Sequence, residues 1–190
     1  HSGQGGAAEE RGAHRSVALF LDGPSGAGKT TVARLLQDVL ADTWLFYEVD
    51  RCEPRAPRSR PDLAGLAAEE AMRRGNLSAA RAYVDAGFRL IVEMALPDEG
   101  ARPARRERDE IFGGIQTADV LLTCTRATIE ERTNARGDRD LAWALRYFDN
   151  GDWAADSADL TVPTDGRSPS EVTTELAHWI AQWIGRFEEP

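Results

Sequence analysis

The sequence predicts an α/β fold in which a five-stranded parallel sheet carries helices on both faces. Three observations support this. Short apolar runs alternate with helical periods along most of the 190 residues, the pattern of parallel strands joined by crossover helices. A glycine-rich loop separates the first apolar run from the first helical period. Two of the runs end beside carboxylates, at the sheet edge where open α/β folds place their ligands.

Taken in order, Val17 to Leu21 reads as a buried strand, and Thr31 to Leu40 has helical spacing. Between them, Gly23-Pro24-Ser25-Gly26-Ala27-Gly28-Lys29-Thr30 fits the P-loop pattern G-x-x-x-x-G-K-[ST] at every fixed position. Glycines let such a loop wrap closely around a phosphate chain, so that backbone N–H groups and a helix N-terminus face one anion. Gly23, Ser25, Gly26, Ala27, Gly28, Lys29 and Thr30, with Thr31 behind them, form the candidate nucleotide site. Lys29 is the only lysine in the chain; it is placed to reach the β- and γ-phosphates, and Thr30 to ligate Mg²⁺.

Thr43 to Asp50 reads as the second strand, which would put Asp50 at its C-terminal end as either a site carboxylate or a turn and capping residue. Arg51 to Pro61 contains three prolines and is expected to be a loop beside the site, its arginines either meeting an anionic substrate or solvated. Two helices follow, Asp62 to about Arg74 and Leu77 to about Ala86, with Gly75 and Gly87 as stop signals. Phe88 to Ala95 is the third strand, and Glu93 near its end suits a Walker-B metal carboxylate, or else a partly solvated strand residue.

Pro103 suits the first turn of a helix running to Phe112, and its charged run from Arg102 to Glu110 reads mostly as a solvated face, with room for one or two arginines turned to a substrate. Ala118 to Thr125 is the fourth strand, with Cys124 as a buried apolar residue. A helix from Thr128 leads into Arg132-Thr133-Asn134-Ala135-Arg136-Gly137-Asp138-Arg139. Arg132 and Arg136 share one helical face, and Arg139 follows a glycine hinge. Guanidinium groups on such a segment form an arginine-bearing lid suited to clamping phosphates, with a surface ion-pair helix as the alternative. Leu141 to about Phe148 continues as a helix. Leu160 to Val162 is a short fifth strand, and Ser168-Pro169-Ser170-Glu171 gives a capping box for a final helix whose apolar stripe runs from Val172 to Ile184.

Composition narrows the function. A net charge of −9 argues against a general nucleic-acid binder, which needs a basic face. Cys52 and Cys124 fit no CxxC or metal spacing, so a reduced, cytoplasmic chain is the simplest expectation. No apolar run approaches the ~20 residues of a membrane span. His1 to Arg15 reads as a flexible leader, leaving residues 16–190 as one domain.

Four segments together are similar to the chloramphenicol phosphotransferase-like family of small P-loop kinases. They are GPSGAGKTT at Gly23 to Thr31, TWLFYEVD at Thr43 to Asp50, RTNARGDR at Arg132 to Arg139, and the last strand with its TDGRSPSE turn. The resemblance implies a P-loop NTPase/kinase fold and ATP- and Mg²⁺-dependent transfer to a hydroxyl of a small molecule, with an antibiotic or related specialised metabolite as the acceptor. It implies that Asp50 accepts the hydroxyl proton, that Arg136 and Arg139 are lid arginines, and that Gly28, Lys29 and Thr30 bind ATP. By the same resemblance the turn Thr164-Asp165-Gly166-Arg167 holds adenine. Where the family tends to carry aspartates after the third strand, this chain has Glu93-Met94. A metabolic kinase and a nucleotide-dependent switch are the rival expectations.

Overall fold

The computed structural model describes residues 16–52, 66–94, 98–137, 140–149 and 157–188. The expected leader, and the Pro/Arg loop from Glu53 onward, lie outside these residues. Five strands form one parallel sheet in the order β2-β3-β1-β4-β5: β1 Val17–Asp22, β2 Trp44–Glu48, β3 Arg89–Glu93, β4 Gln116–Thr123 and β5 Leu160–Pro163. The helices are α1 Lys29–Val39, α2 Val49–Cys52, α3 Leu66–Asp85, α4 Asp98–Ile111, α5 Arg126–Arg136, α6 Leu141–Asp149 and α7 Pro169–Glu188.

The strands alternate their side chains between two cores, as a sheet covered on both faces requires. Val17, Leu19 and Leu21 of β1 join Val32 and Leu36 of α1, Ile129 of α5 and Val172, Leu176, Ile180 and Trp183 of α7. Ala18 and Phe20 point the other way, to Leu77, Ala80 and Val84 of α3 and Ala104 of α4, with Phe112 just beyond it. The capping box forms as expected: Glu171 accepts from the Ser168 N–H at 2.7 Å, and Ser168 Oγ accepts from the Glu171 N–H at 3.3 Å. No described helix is long and apolar enough to cross a membrane.

Several boundaries differ from the sequence reading. Gly75 does not stop a helix; α3 runs through it, because Leu77, Ala80 and Val84 bury one continuous stripe whose gain exceeds the ~1 kcal/mol that glycine costs in a helix. β2 ends at Glu48, opposite Glu93, the last residue of β3, so Val49 and Asp50 have no strand to pair with and turn into α2. Pro103 lies inside α4 rather than in its first turn, since the helix begins at Asp98. β4 stops at Thr123, which releases Thr125 to cap α5.

Candidate active site

The loop between β1 and α1 lies at the C-terminal edge of the central strand. Gly23 adopts φ 139, and a Cβ there would run into the Leu122 carbonyl oxygen on β4. Gly28, at φ 96, is the N-cap of α1 and offers no side chain to its first turn; the N–H groups of that turn, uncapped by a side chain, suit an anion. Lys29 is buried, and its Nζ donates to the carbonyl oxygens of Gly23 at 2.6 Å and Pro24 at 3.1 Å. The ammonium is thus folded back onto carbonyl oxygens of its own loop.

Thr30 and Glu93, which are 63 residues apart in sequence, meet across α1 and β3. Thr30 Oγ1 donates to both Glu93 carboxylate oxygens at 2.9 Å. A hydroxyl and a carboxylate at the start of the P-loop helix are hard oxygen donors of the kind Mg²⁺ takes, usually keeping several waters and binding substrate phosphates as well. Two protein oxygens of this kind fit an ion that completes its shell with phosphate and water oxygens.

A cleft of about 260 Å³ opens beside the loop, lined by Gly26, Ala27, Gly28, Thr31 and Val32 from the P-loop side, by Arg132 and Arg136 from α5, and by Thr164, Arg167, Pro169 and Val172 from the far wall. Three guanidinium groups and an apolar wall suit a base attached to a polyphosphate. Arg136 is exposed in the last turn of α5, which Gly137 ends at φ 66. Arg132 is engaged with protein atoms: Nη1 donates to the Gly26 carbonyl oxygen and to Thr164 Oγ1, both at 3.0 Å, and Nη2 donates to the Thr164 carbonyl oxygen at 2.8 Å.

The Thr164 to Arg167 turn is divided in its roles. Thr164 and Arg167 line the cleft, whereas the Asp165 carboxylate turns to the start of α5. There its Oδ1 accepts from the Thr125 N–H and hydroxyl, each at 2.8 Å, and from the Thr128 hydroxyl at 2.6 Å. Burial works to raise its pKa, but the bonds from Thr128 and Thr125 prevail and hold the carboxyl below its ordinary range. Gly166, at φ 64, lets the turn reverse. Ser25, buried, completes the loop. Asp50 is the second residue of α2, carried by the backbone to the sheet edge next to β3. Its side chain, like all of Arg139, lies outside the described residues.

Two arginines of the α4 charge run turn inward. Arg105 reaches Asp22 at 3.4 Å, and Asp22 in turn accepts from the Gly23 N–H at 2.8 Å. Arg108 is buried, pairs with Asp119 and lies 4.6 Å from the centroid of the Phe20 ring. Asp22 was missed by the sequence reading. Its signal was its place, since it ends β1 directly before the loop. Cys124 is buried as expected, and burial, opposed by Arg132, pushes its thiol up to about 11.

A model of the "chloramphenicol phosphotransferase-like protein" family matches residues 16–181. The chain belongs to this family. It is therefore a P-loop kinase of small molecules. No curated protein matches the chain. Among solved structures, a gluconokinase from Sinorhizobium meliloti is 18% identical with a TM-score of 0.67, covering 90% of this chain and 95% of that one. The Mycobacterium tuberculosis APS kinase CysC in complex with AMPPNP and APS is 19% identical with a TM-score of 0.62, covering 88% and 98%. The Deinococcus radiodurans tunicamycin resistance protein is 16% identical with a TM-score of 0.60, covering 87% and 96%. At these identities the likeness is one of fold.

Proposed function

We propose that this kinase uses ATP and Mg²⁺ to phosphorylate a hydroxyl of an antibiotic or related specialised metabolite. The observation that carries the reading is the meeting of Thr30 with Glu93 at the foot of the loop that Lys29 closes, with three arginines lining the adjoining cleft. The order of parts along the sheet edge agrees with it. The Thr164 to Arg167 turn follows β5, the P-loop follows β1, Glu93 ends β3 and Asp50 follows β2, so base, phosphates, metal and acceptor take successive places.

In the proposed reaction the acceptor oxygen forms a bond to the γ-phosphorus, the bond from that phosphorus to the β–γ bridging oxygen breaks, and ADP leaves with the electron pair. Asp50 takes the acceptor proton. Lys29 and the lid arginines Arg136 and Arg139 offset the charge that spreads over the transferring group. Thr30 and Glu93 would hold Mg²⁺, which neutralises phosphate charge when bound. Membership of an antibiotic phosphotransferase-like family supports the acceptor class.

An acceptor panel assayed for ADP release tests the reading. Turnover on hydroxyl-bearing antibiotics is expected. Turnover confined to common sugars, nucleosides or shikimate-like acids would replace it with a metabolic kinase. Asp50→Asn is expected to keep ATP binding and lose about 10²–10⁴-fold in kcat.

A further inference from the structure

We propose that Arg105 is a positioning residue for phosphate binding: it occupies the Asp22 carboxylate, which would otherwise compete with the nucleotide for the Lys29 ammonium. The proposal rests on the reading of the glycine loop as the ATP site. Gly23 is gripped at both ends. Its N–H donates to Asp22 Oδ1 at 2.8 Å, and its carbonyl oxygen accepts from Lys29 Nζ at 2.6 Å. A carboxylate and an ammonium therefore meet on one residue of the phosphate loop, close enough to attract each other strongly. A loop that takes up a polyphosphate is an unfavourable place for a carboxylate, because like charges repel and because the ammonium gains a second anion to serve.

Arg105 meets that charge from the other side of the sheet. Side chains of β1 alternate, so Asp22 shares the face of Ala18 and Phe20, against which α3 and α4 pack, while α1 lies on the opposite face with Val17, Leu19 and Leu21. From α4, Arg105 Nη2 reaches Asp22 Oδ2 at 3.4 Å, which leaves Oδ1 to the Gly23 N–H. The two side chains keep only 19% and 14% of their surface exposed, so water and salt screen the pair incompletely. Arg108, one turn further along α4, is committed to Asp119 and Asp109 and does not replace it. The carboxylate thus keeps its bond to the loop while α4 offsets its charge, and Lys29 stays available to the β- and γ-phosphates.

Titration calorimetry of the whole chain with ATP and with AMP, without any acceptor, tests this. Arg105→Gln should weaken ATP by about tenfold, the scale of one hydrogen bond to a charged group. AMP, which has neither of the phosphates that Lys29 serves, should lose about twofold at most. Adding Asp22→Asn to Arg105→Gln should return most of the ATP affinity, because the amide keeps an acceptor for the Gly23 N–H and carries no charge to hold Lys29. Arg105→Ala, which suits a helix, repeats the cycle if the glutamine variant fails to fold. If ATP stays equally weak in the double variant, Arg105 is itself a phosphate ligand and the proposal is overturned. Unchanged ATP affinity in Arg105→Gln overturns it as well, and so does an equal loss for AMP, which would mark general damage to the cleft. A wild-type chain that binds no ATP would instead refute the reading of the loop on which the proposal rests.

Discussion

Replacing Glu93 by Gln is the sharpest probe of the proposed metal site, because it keeps the shape of the side chain and removes only its charge. Thr30 Oγ1 is 2.9 Å from each carboxylate oxygen, so the amide keeps one acceptor for that hydroxyl. The fold should therefore lose little, about 1 kcal/mol for one weakened hydrogen bond at a half-buried position. Metal affinity should fall much further, by about 10–100-fold, the range seen when a group supporting a bound ion is removed. Initial rates measured against free Mg²⁺ at saturating ATP give the half-saturating concentration directly. An increase of that size with a nearly unchanged melting point is expected. A half-saturating Mg²⁺ concentration within twofold of wild type would refute the assignment of Glu93, and with it the pairing with Thr30 as a metal site.

Three further outcomes follow from other parts of the molecule. Arg108→Ala should destabilise the fold by about 3 kcal/mol, the low end for breaking a buried pair because Asp119 keeps part of its side chain in solvent, and denaturant unfolding reads the loss. Burial already raises the Asp119 carboxyl against the pull of Arg108; without the arginine it rises further, so the variant should be relatively most stable in acid and lose stability as pH climbs through that folded-state value. A thiol reagent at pH 8 should modify exposed Cys52 at once and spare Cys124, whose thiol burial pushes up to about 11, until the protein is unfolded; modification of both in the native state would contradict that burial. Lys29→Ala should abolish transfer while the circular dichroism spectrum stays native, since the amine contacts loop carbonyls and not the apolar core.

Much of this was legible in the sequence because several local signals agreed. The strand, glycine loop and helix at Val17 to Leu40 satisfy periodicity and motif together, and the Ser168 to Glu171 box announced α7. What escaped was decided by distant partners. Gly75 looked like a stop because its local cost is visible in sequence, whereas the burial of Leu77, Ala80 and Val84 that outweighs it is not. The end of β2 depends on where β3 ends, so Asp50 could be placed at the sheet edge but not in a helical turn. Arg105 and Arg108 were hidden in a run that reads as solvated; only the spacing of Arg108 to Phe112, both facing Phe20, hinted that this face of α4 is buried. Asp165 drew attention as part of a nucleotide turn, yet its carboxylate serves α5.

Phosphorus NMR of the enzyme with ATP, Mg²⁺ and a set of hydroxyl-bearing antibiotics follows directly whether phosphate passes from the nucleotide to a small-molecule hydroxyl. A new phosphate-ester resonance growing in step with ADP is expected, absent when Lys29→Ala is used. Inorganic phosphate alone, released slowly with every acceptor, would contradict that transfer and leave a nucleotide hydrolase or switch in its place.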